Sequence, residues 1–438
     1  MKFVLLKITA ILPLLLFSCN GIKPSIETGF DTDTTRQQKI SEYFNALSDL
    51  GQFNGVILIQ DEDSRPFVEA YNLSEDENAN IYVTTKSQFD IHSVSKLFAK
   101  AIILDMEQKG QISRTDLLNA YIPDFPKGDK ITIQHLMDNT SGLPREPKVV
   151  GTAKNKLTDQ EIVEWAKKQR LEFEPGTDKR YSNVGYELLY YIIGKMNYSS
   201  FPFYIKNTLF SDLGMTASGT HYYTDKSNLK HWAKNYQLDD DSMVQVQNIT
   251  DDDFKQSMLY STAEDLLKFL RYVSKASFKD ELKTKDGVIA WTGGSEGIRA
   301  YVHTNVEKDY SFIVLANFDD IPLNDIISTT WKIMESKPYD LPKAIKRESI
   351  VLDSETLNKY VGTYDFVDAD HLLLDFKTEN NSLSLYQGEE LMAVLNAESD
   401  GVFFVDPASE ESFEFRYEGK TQIVVAGWKG VKLKGIKQ

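Results

Sequence analysis

The stretch Ile91-His92-Ser93-Val94-Ser95-Lys96-Leu97-Phe98-Ala99-Lys100-Ala101-Ile102-Ile103-Leu104 decides how this chain is read. Val94, Leu97, Phe98, Ala101, Ile102 and Leu104 recur at helical spacing, which predicts a buried helix starting near Ser93. Ser93 and Lys96 then lie on one face, about a turn apart. The partial positive charge of a helix N-terminus favours an ionised oxygen and a neutral amine there. A serine nucleophile beside a lysine base needs that setting. The plain alternative is an N-cap serine with a solvated lysine, and the motif alone does not exclude it.

Two later stretches decide the matter. Lys179-Arg180-Tyr181-Ser182-Asn183-Val184-Gly185-Tyr186 places a phenol just before an apolar helix. Tyr181 can relay a proton beside a lysine, and Asn183 is placed to cap the helix and to bond both Lys96 and a substrate amide or ester. Ala290-Trp291-Thr292-Gly293-Gly294-Ser295-Glu296-Gly297-Ile298-Arg299 lies between two strand-like runs. Its glycines let a substrate approach an edge strand and leave N–H groups free.

Ser93-Val94-Ser95-Lys96, Tyr181-Ser182-Asn183 and Trp291-Thr292-Gly293 occur in the order of three motifs, S-x-x-K, Y-x-N and K-T-G or H-x-G. The chain thereby resembles the serine β-lactamase-like superfamily, in its class C β-lactamase, penicillin-binding protein and esterase branch. Thr140-Ser141-Gly142-Leu143-Pro144, Leu213-Gly214-Met215-Thr216 and Tyr260-Ser261-Thr262-Ala263 are similar to phrases of the same branch. The resemblance covers roughly residues 35–335. It implies an α+β sandwich, with an antiparallel sheet flanked by helices and an all-helical region. It further implies that Ser93 is acylated and that Lys96 and Tyr181 share the base and acid roles. Asn183, Trp291, Thr292, Gly293 and Gly294 would contact substrate. The N–H groups of Ser93 and Gly294 would form an oxyanion hole, a contribution of ~10²–10³ in rate per donor. No metal or other cofactor is implied.

Trp291 departs from the pattern, standing where β-lactamases and penicillin-binding proteins carry Lys or His near a substrate carboxylate. Indole offers one N–H and no charge. Some esterases of the branch resemble this chain in having Trp there. The implied activity is therefore an ester or amide hydrolase. A D-amino-acid peptidase, a β-lactamase and a catalytically weak binding protein are the alternatives. Gly293-Gly294-Ser295-Glu296-Gly297 also reads G-x-S-x-G, but a nucleophile elbow needs strand, turn and helix, and Ile298–His303 reads as a strand.

The pattern before and between these motifs gives the domain order. Strand-like Phe53–Ile59 and Pro66–Tyr71 open the main domain, and Val288–Trp291, Ile298–His303 and Ser311–Phe318 close it. Together they can form one antiparallel sheet, with the central helices on one face. Helical runs appear at Asp159–Gln169, Val184–Met196, Phe203–Leu213 and Ala263–Ser274, and residues 116–126 look loop-like. Eight short strand-like runs follow from Gly362 to Lys434, with turn residues between them. This is the pattern of a small antiparallel barrel. It resembles the lipocalin-like β-domain often appended to this hydrolase family.

The chain has 438 residues, 41% hydrophobic, with a net charge of −16, so it has no reason to seek nucleic acid or an anionic lipid surface. Its start, basic then apolar and too short to span a bilayer, reads as a signal peptide over residues 1–18. Cys19, the sole cysteine, follows Leu16-Phe17-Ser18 in a stretch that resembles a bacterial lipobox. The resemblance implies cleavage before Cys19 and lipid attachment to it, which would tether an exported protein to the cell envelope. Residues 19–33 read as tether, 34–336 as hydrolase domain, 337–350 as linker and 351–438 as barrel.

Overall fold

The computed structural model describes residues 33–438 except 63, 146–158, 222–227, 240–241, 247–258, 370, 408, 410 and 429–430. The signal peptide, Cys19 and nearly all of the tether lie outside the described residues. The chain divides into two compact units, residues 54–237 with 245–319, and the described parts of 1–53 with 238–244 and 320–438.

The first unit is built on a five-stranded antiparallel sheet. Gly55–Asp61 is the second strand, pairing the edge strand Phe67–Tyr71 on one side and the middle strand Tyr310–Ala316 on the other, with Gly55 opposite both Tyr71 and Ala316. Ile298–Asn305 follows, and Val288–Ser295 is the other edge. Strands separated by more than two hundred residues thus join in one sheet, as their patterns require. Alternation puts Val56, Leu58, Ile289, Ala300, Val302, Ile313 and Leu315 into one core with the central helices.

The helix Ser95–Gln108 runs through that core. Its first ten residues are buried except the half-buried Lys100, while Asp105 and Glu107 are half-buried and Gln108 is exposed. That buried stretch is mostly apolar, with the polar Ser95, Lys96 and Lys100 near its start. Phe98 stacks on Phe269 at 3.7 Å between ring centroids and meets Phe210 edge-on. The helix stops at Gly110, whose φ of +68° suits glycine.

Three local expectations need correction. The helix Asn183–Met196 is capped by Ser182, whose hydroxyl accepts from the Gly185 N–H at 2.9 Å, and not by Asn183. Helix at Phe203–Leu213 is instead α-helical at Phe201–Tyr204 and π-helical at Ile205–Phe210. The loop-like residues 116–126 contain a helical turn at Leu118–Tyr121.

In the second unit, the eight expected strands form a closed antiparallel barrel, sealed by the pairing of Gly362–Phe366 with Val431–Lys437. Its interior is filled with side chains. Phe415 lies within 4.8–5.6 Å of the rings of Tyr360, Tyr364, Phe376 and Phe403. Closure removes the sheet edges, and the packed rings supply the core.

Candidate active site

A two-residue strand, Phe89–Asp90, pairs with Tyr260–Ser261, and the Ile91 N–H donates to the Leu259 carbonyl at 3.1 Å. This fixes the chain immediately before Ser93. His92 takes a φ of +41°, a left-handed conformation that is costly for a side chain with a Cβ. A 3₁₀ turn at His92–Val94 then leads into the Ser95 helix. Ser93 therefore stands at a sharp entrance to a rigid helix.

Lys96 lies one turn on and is buried at 7% exposure. Its Nζ donates to Ser93 Oγ at 3.1 Å. Tyr181 Oη and Ser93 Oγ share a hydrogen bond of 2.7 Å across 88 residues of sequence. Lys96 Nζ stands 5.1 Å from the Tyr181 ring centroid, and the Arg145 guanidinium 5.7 Å from it. The loop carrying Arg145 is docked on the same motif. Its carbonyl accepts from the Asn183 N–H at 2.9 Å, and the Pro144 carbonyl accepts from the Ser182 hydroxyl at 2.8 Å. Asn183, half-buried, begins the helix two residues after Tyr181.

The third motif lies on the edge strand. Gly293 is buried, and a Cβ there would stand 2.2 Å from the Ile91 carbonyl oxygen and 3.2 Å from the Ser93 nitrogen. Only glycine allows the strand this close to the Ser93 turn. Ser295 pairs with Ile298 across the two-residue turn Glu296-Gly297, where Gly297 has φ +71°. A residue pair closing such a turn exchanges hydrogen bonds, so the next pair, Gly294 with Arg299, does not. The N–H groups of Thr292 and Gly294 accordingly point off the open edge of the sheet. Ser295 ends a strand and opens a hairpin, which is not the setting of a nucleophile elbow. Arg299 Nη1 donates to the carbonyls of Ser295 and Ile298, both at 2.7 Å.

Trp291 is half-buried and meets Tyr186 edge-on at 6.5 Å. Tyr186 in turn lies under Lys96, 5.5 Å from its Nζ, and donates to the Met137 carbonyl. Burial holds the Tyr186 phenol protonated far above its ordinary range. Lys100 Nζ stands 5.3 Å from the Trp291 ring and 3.6 Å from Asp138. Burial lowers the Lys100 pKa, and Asp138 partly offsets this. Sequence reasoning missed Tyr186, Lys100 and Arg145, although Lys100 falls on the Lys96 face of its own helix. It also missed the buried pair His221 Nε2–Asp90 Oδ1 at 2.6 Å, in which Asp90 lies three residues before Ser93.

The family model described as Beta-lactamase matches residues 40–286. Penicillin-binding protein 4* of Bacillus subtilis is 24% identical over 428 residues, spanning 86% of this chain and 93% of that protein. The octameric penicillin-binding protein homologue from Pyrococcus abyssi has a similar structure, with a TM-score of 0.59 at 17% identity. It covers 93% of this chain and 100% of its own. The D-amino acid amidase from Ochrobactrum anthropi, solved with L-phenylalanine amide, also reaches 0.59 at 17% identity, covering 68% and 99%.

Proposed function

The chain belongs to the beta-lactamase family, and from that premise we propose that it is a serine hydrolase working through an acyl-enzyme on Ser93, with an ester or amide as substrate. The observation that carries this reading is the convergence on Ser93 Oγ of Tyr181 Oη at 2.7 Å and Lys96 Nζ at 3.1 Å. A proton leaving Ser93 during attack has two acceptors within hydrogen-bond reach. Tyr181 and Lys96 take that proton and return it to the leaving group. The N–H groups of Ser93 and Gly294 hold the carbonyl oxygen as it gains charge. Water then attacks the acyl carbonyl with the same pair as base.

Trp291 favours substrates that do not depend on a carboxylate bound at that position. Hydrolysis of D-aminoacyl amides or peptides is the second reading. It is supported by the outward N–H groups of Thr292 and Gly294, which suit a peptide-like backbone laid along the edge, and by the amidase among the similar structures. A fluorophosphonate probe followed by peptide mass spectrometry tests the common premise. An adduct on the Ser93 peptide is expected, and no adduct, or one on Ser295, would overturn it. Rates over short esters, D-aminoacyl amides and a chromogenic β-lactam then choose among the substrate classes. We also propose, from the resemblance at Cys19 alone, that the protein is lipid-anchored to the envelope of a bacterium.

A further inference from the structure

We propose that Lys100 is a specificity-determining residue that acts through Trp291, making the site reject substrates with a positive charge near the reacting ester. The inference rests on the reading of Ser93 as nucleophile and adds a substrate class to it.

Three observations carry the inference. First, Lys100 stands one helical turn beyond Lys96 on the same face, so its charge belongs to the site's own neighbourhood. Second, its ammonium is packed against the Trp291 ring at 5.3 Å, with Asp138 at 3.6 Å. Third, Trp291 is two residues from Gly293 on the same side of the edge strand, and Gly293 abuts the Ile91–Ser93 turn. The partly exposed indole thus shares the strand face that meets the Ser93 turn, with the Lys100 cation 5.3 Å from its ring.

An aromatic face is normally electron-rich and attracts cations. A cation already on that ring offsets the attraction and adds its own field. A substrate ammonium in contact with the indole would lie roughly 9 Å from Lys100, and Coulomb's law at an intermediate effective dielectric makes the Lys100 contribution worth about five- to twentyfold in selectivity, with the Asp138 carboxylate beside it opposing that repulsion. An indole flanked this way tolerates neutral and anionic groups, and this counts against free D-aminoacyl amides, whose α-ammonium lies beside the reacting carbonyl. The charged groups acting on Lys100 from the surrounding elements are Asp138, which favours its charge, and Lys179, which opposes it. Lys96 lies on its own helix, and the Tyr186 phenol stays protonated.

The test compares a choline ester with the 3,3-dimethylbutyl ester of the same short acid. The two have equal shape and differ by one charge. A second pair carries the charge on the acyl side. In Lys100→Met, the kcat/KM preference for the neutral member of at least one pair should fall about five- to twentyfold, chiefly through KM. Lys100→Arg should keep it. Unchanged ratios in both pairs for Lys100→Met would overturn the proposal.

A readout independent of turnover accompanies this test. The emission of Trp291, isolated by subtracting the Trp291→Phe spectrum, should change as pH rises through a value below the ordinary lysine range of about 10.5. The transition should move lower in Asp138→Asn and vanish in Lys100→Met and Lys100→Arg. A Trp291 signal that does not respond to Lys100 would also overturn the proposal. An unaltered protein that fails to acylate Ser93 would defeat the hydrolase reading instead, leaving this measurement to decide whether Lys100 governs Trp291.

Discussion

Gly293 and Ile91 are in such close register that a single added Cβ on the glycine would overlap the isoleucine carbonyl oxygen, at 2.2 Å. Neither atom can retreat easily. Gly293 is held in the ladder opposite Ala300, and Ile91 is tied to Leu259 by its own N–H. Gly293→Ala should therefore shift the Ser93 turn away from the edge strand. We expect a loss of more than tenfold in the rate of acylation by a fluorophosphonate, with a destabilisation of about 1–3 kcal/mol from the overpacked contact. Labelling at the unaltered rate would show that strand and turn are not coupled.

The two serines of the sequence reading make opposite predictions. Ser93→Ala should abolish acylation and lower turnover by several orders of magnitude. Lys96→Ala should cost nearly as much, and the double change little more, because nucleophile and base act as a unit. Ser295→Ala should cost under tenfold, since this hydroxyl belongs to a hairpin end. Single-turnover kinetics on an activated ester separates the cases. Full activity in Ser93→Ala would reverse the assignment.

Two buried phenols and one half-buried phenol contribute to the dependence of stability on pH above about 10. Burial pushes Tyr186 and Tyr190 well above the ordinary tyrosine value and Tyr272 up to about 12. In the unfolded chain these groups ionise near pH 10. Below that pH neither state loses protons and their contribution is complete. Above it the unfolded chain releases protons that the folded one retains, so stability falls as pH rises toward the folded values. Denaturant unfolding at pH 8, 10 and 11 should show this decline. Tyr272→Phe should make it shallower, and an unchanged slope would exclude Tyr272 from the effect.

Much of this structure is legible in the residues. The strands at the two ends of the hydrolase part announce themselves by apolar alternation, and the eight barrel strands by their spacing. Ser93, Lys96 and Tyr181 stand in recognisable phrases, so their meeting was expected. The cap was misread because Ser182 and Asn183 both have capping side chains, and the choice depends on which backbone turns first. The π-helical segment escaped because α- and π-turns share nearly the same apolar pattern over six residues. Tyr186 and Arg145 carry no local signal, and Lys100 has only its place on the Lys96 face of its helix. Their importance comes from what stands opposite them in space, and no spacing along one helix reveals an indole on a strand nearly two hundred residues away.

The barrel core should behave as a packed core. Phe415→Ala removes a ring that touches four other rings and should cost about 3–5 kcal/mol. Near-ultraviolet circular dichroism and denaturant unfolding would register it. A cost below 1 kcal/mol would mean that the interior can collapse around the gap.

The proposal for Cys19 has a direct test. Cys19→Ser should move the protein from the membrane fraction to the soluble fraction of its host and remove a lipid-sized mass from its N-terminal peptide. Continued membrane association would defeat the lipid anchor.

The filled barrel also has a consequence for how the second unit can contribute. A lipocalin-like outline suggests a cup, yet here aromatic rings occupy the place where a guest would sit. Any cargo would have to displace the structure that holds the walls apart. The part of the barrel around Phe415 is a packed core and not a space for a guest. Its inward-facing residues are therefore constrained by packing, and its outward-facing residues are the ones free to acquire a task.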